Sequence, residues 1–169
     1  LHGEAHVTYH SGDTYEGHVM RGVYHGRGVL RRMDGSEIDG VFVNGVASGP
    51  ALLLLPNGDR YEGMLEDGQR NGEGSCMHAN GDRYEGEWQA DARHGHGRVA
   101  YARGGSYSGG WVADQMEGEG ELTLSDGRVA TGMWAAGALV GVGVMQLPYG
   151  GRYTGGLELL ADGNLVPSG

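Results

Sequence analysis

An all-β fold is predicted, in the form of an elongated single-layer antiparallel sheet of stacked β-hairpins. Three observations predict it. The hexapeptide Gly-Asp-Arg-Tyr-Glu-Gly occurs at 58–63 and returns at 81–86, setting a period of 23 residues. Rows of that length, begun at Tyr15, Ile38, Tyr61, Tyr84, Tyr107, Ala130 and Tyr153, align glycine in three columns with no insertion or deletion. The third column runs from Gly17 to Gly155, the twelfth from Gly3 to Gly141, and the twenty-first from Gly12 to Gly150. Between the glycines, apolar and polar residues alternate with the period of two that a half-buried strand requires.

Each row reads as two strands joined by a bend. Positions one, three and five share a face of the first strand: Tyr, Gly and an apolar residue that is Trp in three rows. A turn follows, where Gly22, Gly45, Gly68 and Gly137 supply positive φ. Positions twelve, fourteen and sixteen share a face of the second strand, sixteen being Val7, Leu30, Leu53, Cys76, Val99, Leu122 or Met145. The row closes in a second turn at position twenty-one, often with Asp or Asn just before its glycine, as in Asp34, Asn57, Asn80 and Asp126. The array is continuous over 1–169: a partial row over 1–14, rows starting at 15, 38, 61, 84, 107 and 130, and a truncated row over 153–169. Its opening in mid-row at Leu1-His2-Gly3 predicts a longer parent array.

A one-layer sheet has no second layer to bury its apolar face. The glycine columns offer a remedy. Rings at positions one and five are expected to lie down over the bare backbone at three, twelve and fourteen. A ring buries about 150–250 Å², and only neighbouring rows can supply the cover, so stability is nearest-neighbour in kind.

Composition limits the function. Of 169 residues, 36 are glycine, and 22 acids oppose 12 basic residues, all arginine, for a net charge of −10. That balance disfavours nucleic acid as a partner. The single Cys76 excludes an internal disulfide framework and fits a reducing compartment. The sequence has no apolar run of membrane-spanning length.

Full rows such as 84–106, Tyr-Glu-Gly-Glu-Trp followed by His-Gly-His-Gly, resemble the MORN repeat, and the resemblance spans the chain. It is similar above all to the repeat-only cytoskeletal scaffold proteins of protists. The resemblance implies a structural scaffold or protein-interaction module: a self-associating rod, cytoplasmic and associated with the cytoskeleton or peripheral at a membrane, with a cytoskeletal or membrane-associated protein as partner. Two alternatives follow from the same family. One is a peptide-binding module whose aromatic groove is formed by Tyr15, Tyr61, Tyr84, Trp88, Tyr107, Trp111, Trp134 and Tyr153. The other is a phosphoinositide- or membrane-binding module, for which Arg31 and Arg32, with Arg21 and Arg27 nearby, form the one local basic cluster; anionic lipid is a weak partner at most.

Apolar C-terminal rows and the unpaired edge of an open sheet predict a homodimer through those rows, with Val140, Val142, Val144, Leu157, Leu159 and Leu160 at its interface. Residues 51–56, Ala-Leu-Leu-Leu-Leu-Pro, predict Leu53 and Leu55 on the packed face with Leu52 and Leu54 opposite. Cys76 and His78, two apart on one strand face, could supply two zinc ligands, which a twofold dimer would raise to four; otherwise no cofactor is expected. The histidines before the twelfth-column glycine (His2, His25, His94) share their column with Ser48, Asn71, Glu117 and Val140, which marks a polar site near a turn. The Glu16, Asp39, Glu62 and Glu85 column recurs once per row, about 10 Å apart, too regular and too open for an acid–base pair. Gly-x-Gly at Gly26 and Gly95 lacks the following helix that a phosphate loop needs. The chain is not expected to be an enzyme.

Overall fold

The computed structural model describes residues 2–160 and 163–168. All of its regular structure is β: β1 (His2–Thr8), β2 (Thr14–Met20), β3 (Val23–Arg31), β4 (Glu37–Val43), β5 (Val46–Leu54), β6 (Arg60–Glu66), β7 (Gln69–Met77), β8 (Arg83–Gln89), β9 (Ala92–Ala100), β10 (Ser106–Val112), β11 (Gln115–Thr123), β12 (Val129–Ala135), β13 (Ala138–Gln146), β14 (Arg152–Leu159) and β15 (Leu165–Pro167). They form one open sheet in chain order, antiparallel throughout the paired registers, so each row is a hairpin as its glycine spacing demands. No helix among the described residues is long and apolar enough to cross a membrane. The chain divides into two compact units, 1–79 with 88–91 and 80–87 with 92–169.

Each bend has its own chemistry. Within a row, the loop is two residues long and both have positive φ, as in Arg21-Gly22, Asn44-Gly45 and Asp67-Gly68. That is the type I′ turn, whose twist matches the strands it joins. Two rows make it without glycine, at Ala90-Asp91 and Ala113-Asp114. Between rows, a type I turn is closed by the glycine of column twenty-one at positive φ. Gly58 N–H, for instance, donates to Leu55 C=O, and Leu55 N–H donates to Asp59 C=O.

The twelfth column departs from expectation. Its glycines do not lie beneath the rings. They stand in bulges at positive φ, for example +67° at Gly26 and +80° at Gly72. At each bulge the second strand places three residues opposite one, so the register moves from Gly17↔Gly28 to Val19↔Tyr24, and from Gly63↔Gly74 to Leu65↔Arg70. The left-handed backbone, not missing side-chain volume, selects glycine there.

Columns three and fourteen behave as expected. They face each other in the ladder, Gly17↔Gly28 and Gly28↔Gly40 in the first unit, Gly97↔Gly109, Gly109↔Gly120 and Gly120↔Gly132 in the second. A strip of bare backbone thus crosses the strands. A Cβ at Gly28, Gly74, Gly97 or Gly120 would overlap the ring of Tyr15, Tyr61, Tyr84 or Tyr107 respectively. Those four tyrosines are at most 1 % exposed, so the core of this single sheet is rings on glycine.

Rows that lack the tyrosine repair the gap in two ways. Row two has Ile38 at position one and Ala51 in place of the fourteenth-column glycine, and the Ala51 methyl occupies space that a ring would have claimed. Row six has Ala130, and Leu139 reaches across Gly132 and Gly143 instead. Leu157 also covers Gly143 and is 4 % exposed, so its assignment to a dimer interface is corrected: it is spent inside its own chain. In the 51–56 segment, Leu52 is exposed as expected, whereas Leu54 is half-buried alongside Leu53 and Leu55.

Candidate functional site

The rings named above as a groove form instead a sealed floor. Tyr15, Tyr61, Tyr84, Trp88, Tyr107, Trp111 and Trp134 are all at most 4 % exposed, and only Tyr153, in the truncated row, is half-buried. Their polar tips are also satisfied. Each tyrosine hydroxyl donates to the carbonyl three residues on, Tyr15 to His18, Tyr61 to Met64, Tyr84 to Glu87, Tyr107 to Gly110 and Tyr153 to Gly156. The carbonyls of His18, Met64 and Gly110 belong to the single residue that faces the bulge, and that of Gly156 accepts the Ser168 N–H as well. Each indole N–H donates to a fourteenth-column carbonyl of the row before, Trp88 to Gly74, Trp111 to Gly97 and Trp134 to Gly120. Tyrosine and tryptophan of successive rows meet edge to face at 5.5 Å (Tyr61–Trp88), 5.6 Å (Tyr84–Trp111) and 5.2 Å (Tyr107–Trp134). A partner therefore meets these rings only through what stands above them.

Two residues that sequence reasoning missed stand there. Arg70 and Arg93, at position ten, lay their guanidinium groups over Trp88 and Trp111 at 4.1 and 4.2 Å from the ring centroids. Each is held by the turn aspartate of the following row: Arg70 Nε donates to Asp91 Oδ1 at 3.1 Å and Arg93 Nε to Asp114 Oδ1 at 2.9 Å. Position ten in row one is Tyr24, stacked on Tyr15 at 3.8 Å between centroids. The column holds no constant residue: it is Ala47 in row two, Met116 in row five and Leu139 in row six.

Where row two lacks its tyrosine, the ring face opens. A depression of about 440 Å³ is lined by Leu30, Ile38, Phe42, Ala47 and Leu53, with Arg32, Glu37, Arg70 and Asp91 around it. Its size and apolar lining with a few charged groups at the rim are those of a site for a small ligand or a side-chain anchor. Of the basic cluster expected to meet lipid, Arg32 lies at its edge. Arg31 is ion-paired with Glu37 at 2.8 Å, which offsets part of its charge.

The residues expected at a C-terminal dimer interface differ in exposure. Val140 and Val142 are 42 % and 71 % exposed, Leu160 is 38 % exposed, and Val144 and Leu159 are half-buried. Met133 pairs with Val140 across the ladder and is 49 % exposed, so it extends the same patch.

Cys76 and His78 come together with a third donor from the preceding row. His78 Nδ1 lies 2.9 Å from Asp59 Oδ2, and the ligand atoms of Asp59, Cys76 and His78 all fall within 4.8 Å of one another. Burial opposes ionisation of Asp59, but hydrogen bonds from Ala79 N–H, His78 and the Asn57 side chain outweigh it and hold its carboxyl below the usual carboxylate range. The twenty-second column to which Asp59 belongs also ties rows together. Asp13, Asp59 and Asp82 each accept the backbone N–H of the next inter-row loop, at Met33, Ala79 and Ala102.

Among solved structures, the chain is similar to the SAS-4 (dCPAP) TCP domain of Drosophila melanogaster in complex with a proline-rich motif of Ana2 (dSTIL). The identity is 13 % and the TM-score 0.45, over 96 % of this chain and 87 % of that one. It is likewise similar to the wild-type TCP10 domain of Danio rerio CPAP in complex with a peptide of Danio rerio STIL, at 12 % identity and TM-score 0.44, over 96 % and 82 %. No curated protein matches. The MORN repeat matches residues 15–37, 39–60, 61–83, 84–106, 107–127 and 131–152, at the hairpins and glycine columns described above, and on that span the chain belongs to the MORN-repeat family.

Proposed function

We propose that the chain is a protein-interaction scaffold without catalytic chemistry of its own, and that the row-two depression receives an apolar side chain from an extended segment of a protein partner. The depression carries this reading. Rows with their tyrosine have the glycine strip roofed by its ring; row two fills the strip with the Ala51 methyl alone, and beside it the surface around Ile38 stays open, apolar and rimmed with charge. Anchoring one side chain in such a pocket, with the rim fixing the orientation of the backbone, is how extended peptides gain specificity on β surfaces. Restoring the missing ring tests it. The double variant Ile38→Tyr/Ala51→Gly copies the other rows and is expected to fold. Displayed peptide libraries selected on the unaltered protein should yield apolar-anchored sequences that the double variant binds at least tenfold more weakly. Equal binding by both proteins would refute the assignment.

A second surface favours self-association. Met133, Val140 and Val142 expose adjoining apolar side chains on one face of the second unit, in a chain whose other outward columns carry many acids. Sedimentation equilibrium should show a dimer that Val142→Glu shifts to monomer. A monomer at every concentration, with unaltered residues, removes this reading.

A further inference from the structure

We propose that Asp59, Cys76 and His78 form a site within one chain for a borderline divalent cation of the zinc type. The inference is independent of the docking surfaces above. The three side chains converge from two consecutive inter-row loops and the strand between them: Asp59 closes the loop before β6, Cys76 is the penultimate residue of β7, and His78 follows that strand. A thiolate, an imidazole and a carboxylate are the donor set that zinc accepts in three-ligand sites, the fourth position being left to water or to a partner's group. Hard cations such as Mg²⁺ prefer all-oxygen shells and do not suit it.

The local geometry is close to what a bound ion needs. Zinc–nitrogen and zinc–oxygen bonds of about 2.0–2.2 Å place tetrahedral ligand atoms somewhat more than 3 Å apart. His78 Nδ1 and Asp59 Oδ2 already stand at 2.9 Å, so an ion enters by replacing the proton that they share. The Asp59 carboxylate is already oriented, because its Oδ1 accepts Ala79 N–H at 2.9 Å and so leaves Oδ2 turned to the histidine. The Cys76 side chain is enclosed, while those of Asp59 and His78 keep 13 % and 30 % of their surface, so the way in is from the histidine side. Binding converts the thiol to a metal-bound thiolate and releases one proton. The imidazole binds neutral, its hydrogen moving to Nε2 and staying with the ring.

The fold itself asks for neither residue. Column sixteen holds Leu30, Leu53, Val99, Leu122 and Met145 in other rows, and column eighteen holds Leu55, Tyr101, Leu124 and Leu147. Aspartates laced in the same way at Asp13 and Asp82 have Arg32 and Tyr101 in the corresponding column, with no cysteine. Only one row brings all three donors together among the described residues.

Those columns also supply variants that keep the fold. Reduced, metal-stripped protein is titrated with Co²⁺ as a spectroscopic probe, and then with Zn²⁺. One equivalent of Co²⁺ should produce the near-ultraviolet charge-transfer band of a cobalt–thiolate bond, Zn²⁺ should displace it, and Mg²⁺ should not. Cys76→Val, borrowed from Val99, should melt like the parent in chelator and show no band. His78→Leu, borrowed from Leu124, should stay folded and bind Co²⁺ at least tenfold more weakly. A folded parent protein that gives no stoichiometric band, or a His78→Leu variant that binds as tightly as the parent, overturns the site.

Discussion

At the scale of the residue, the molecule rests on pairing a large ring with a missing side chain. Tyr61 lies over Gly63 and Gly74, and its hydroxyl closes on Met64 C=O, so the ring is fixed at both ends. Burial pushes the phenols of Tyr61 and Tyr107 up to about 12 from an ordinary value of 10.0. The sign follows from linkage. A folded-state value raised above the unfolded one gives stability that is complete below the unfolded value and lost as pH climbs through the folded one. The array should therefore lose stability between pH 10 and about 12, with tyrosinate appearing in step with the loss of β circular dichroism. Tyrosines that titrate near 10 while the sheet stays intact would show that they are not buried as described. Much of this pairing was legible in the sequence, because tyrosine at position one and glycine at three and fourteen recur together. The twelfth column was misread for a physical reason. Glycine serves both empty space and left-handed backbone, and composition cannot separate the two. The phase of the bulge decides between them.

At the scale of the element, each complete row from the first to the sixth has a two-residue turn with both residues at positive φ, and the cost of that backbone depends on who occupies it. Glycine, asparagine and aspartate tolerate it, and rows two and three use Asn44-Gly45 and Asp67-Gly68. Ala113 sits at +47° with none of their compensations. Ala113→Asn, copying row two, should raise stability by about 0.5–1 kcal/mol in urea melts, with the fold unchanged. A loss of similar size would mean that the turn is not of this kind. The stitching between hairpins was far less legible. The arginines above Trp88 and Trp111 occupy a column that elsewhere holds Tyr24, Ala47, Met116 and Leu139, so no repeating residue announced it. Asp59 as a partner for His78 went unseen for a related reason: its reach into the next row's loop shows only once the strands are stacked.

At the scale of the whole molecule, one rule repeated in most rows accounts for a sheet that buries its own face. Its exceptions in rows two and six are matched by changes at the fourteenth column or from a neighbouring leucine. The same two rows carry the open depression beside Ile38 and the exposed apolar side chains near Val142. Row two shows that isoleucine at position one goes with alanine at fourteen, and the same exchange made in row three tests the rule directly. In a double-mutant cycle, Gly74→Ala alone sets a methyl group into the Tyr61 ring and should cost about 1–3 kcal/mol. Tyr61→Ile alone should leave a cavity and cost a similar amount or more. Made together they should cost less than their sum, with a coupling of about 0.5–3 kcal/mol by urea denaturation. Strict additivity of the two substitutions would contradict the pairing of ring and glycine.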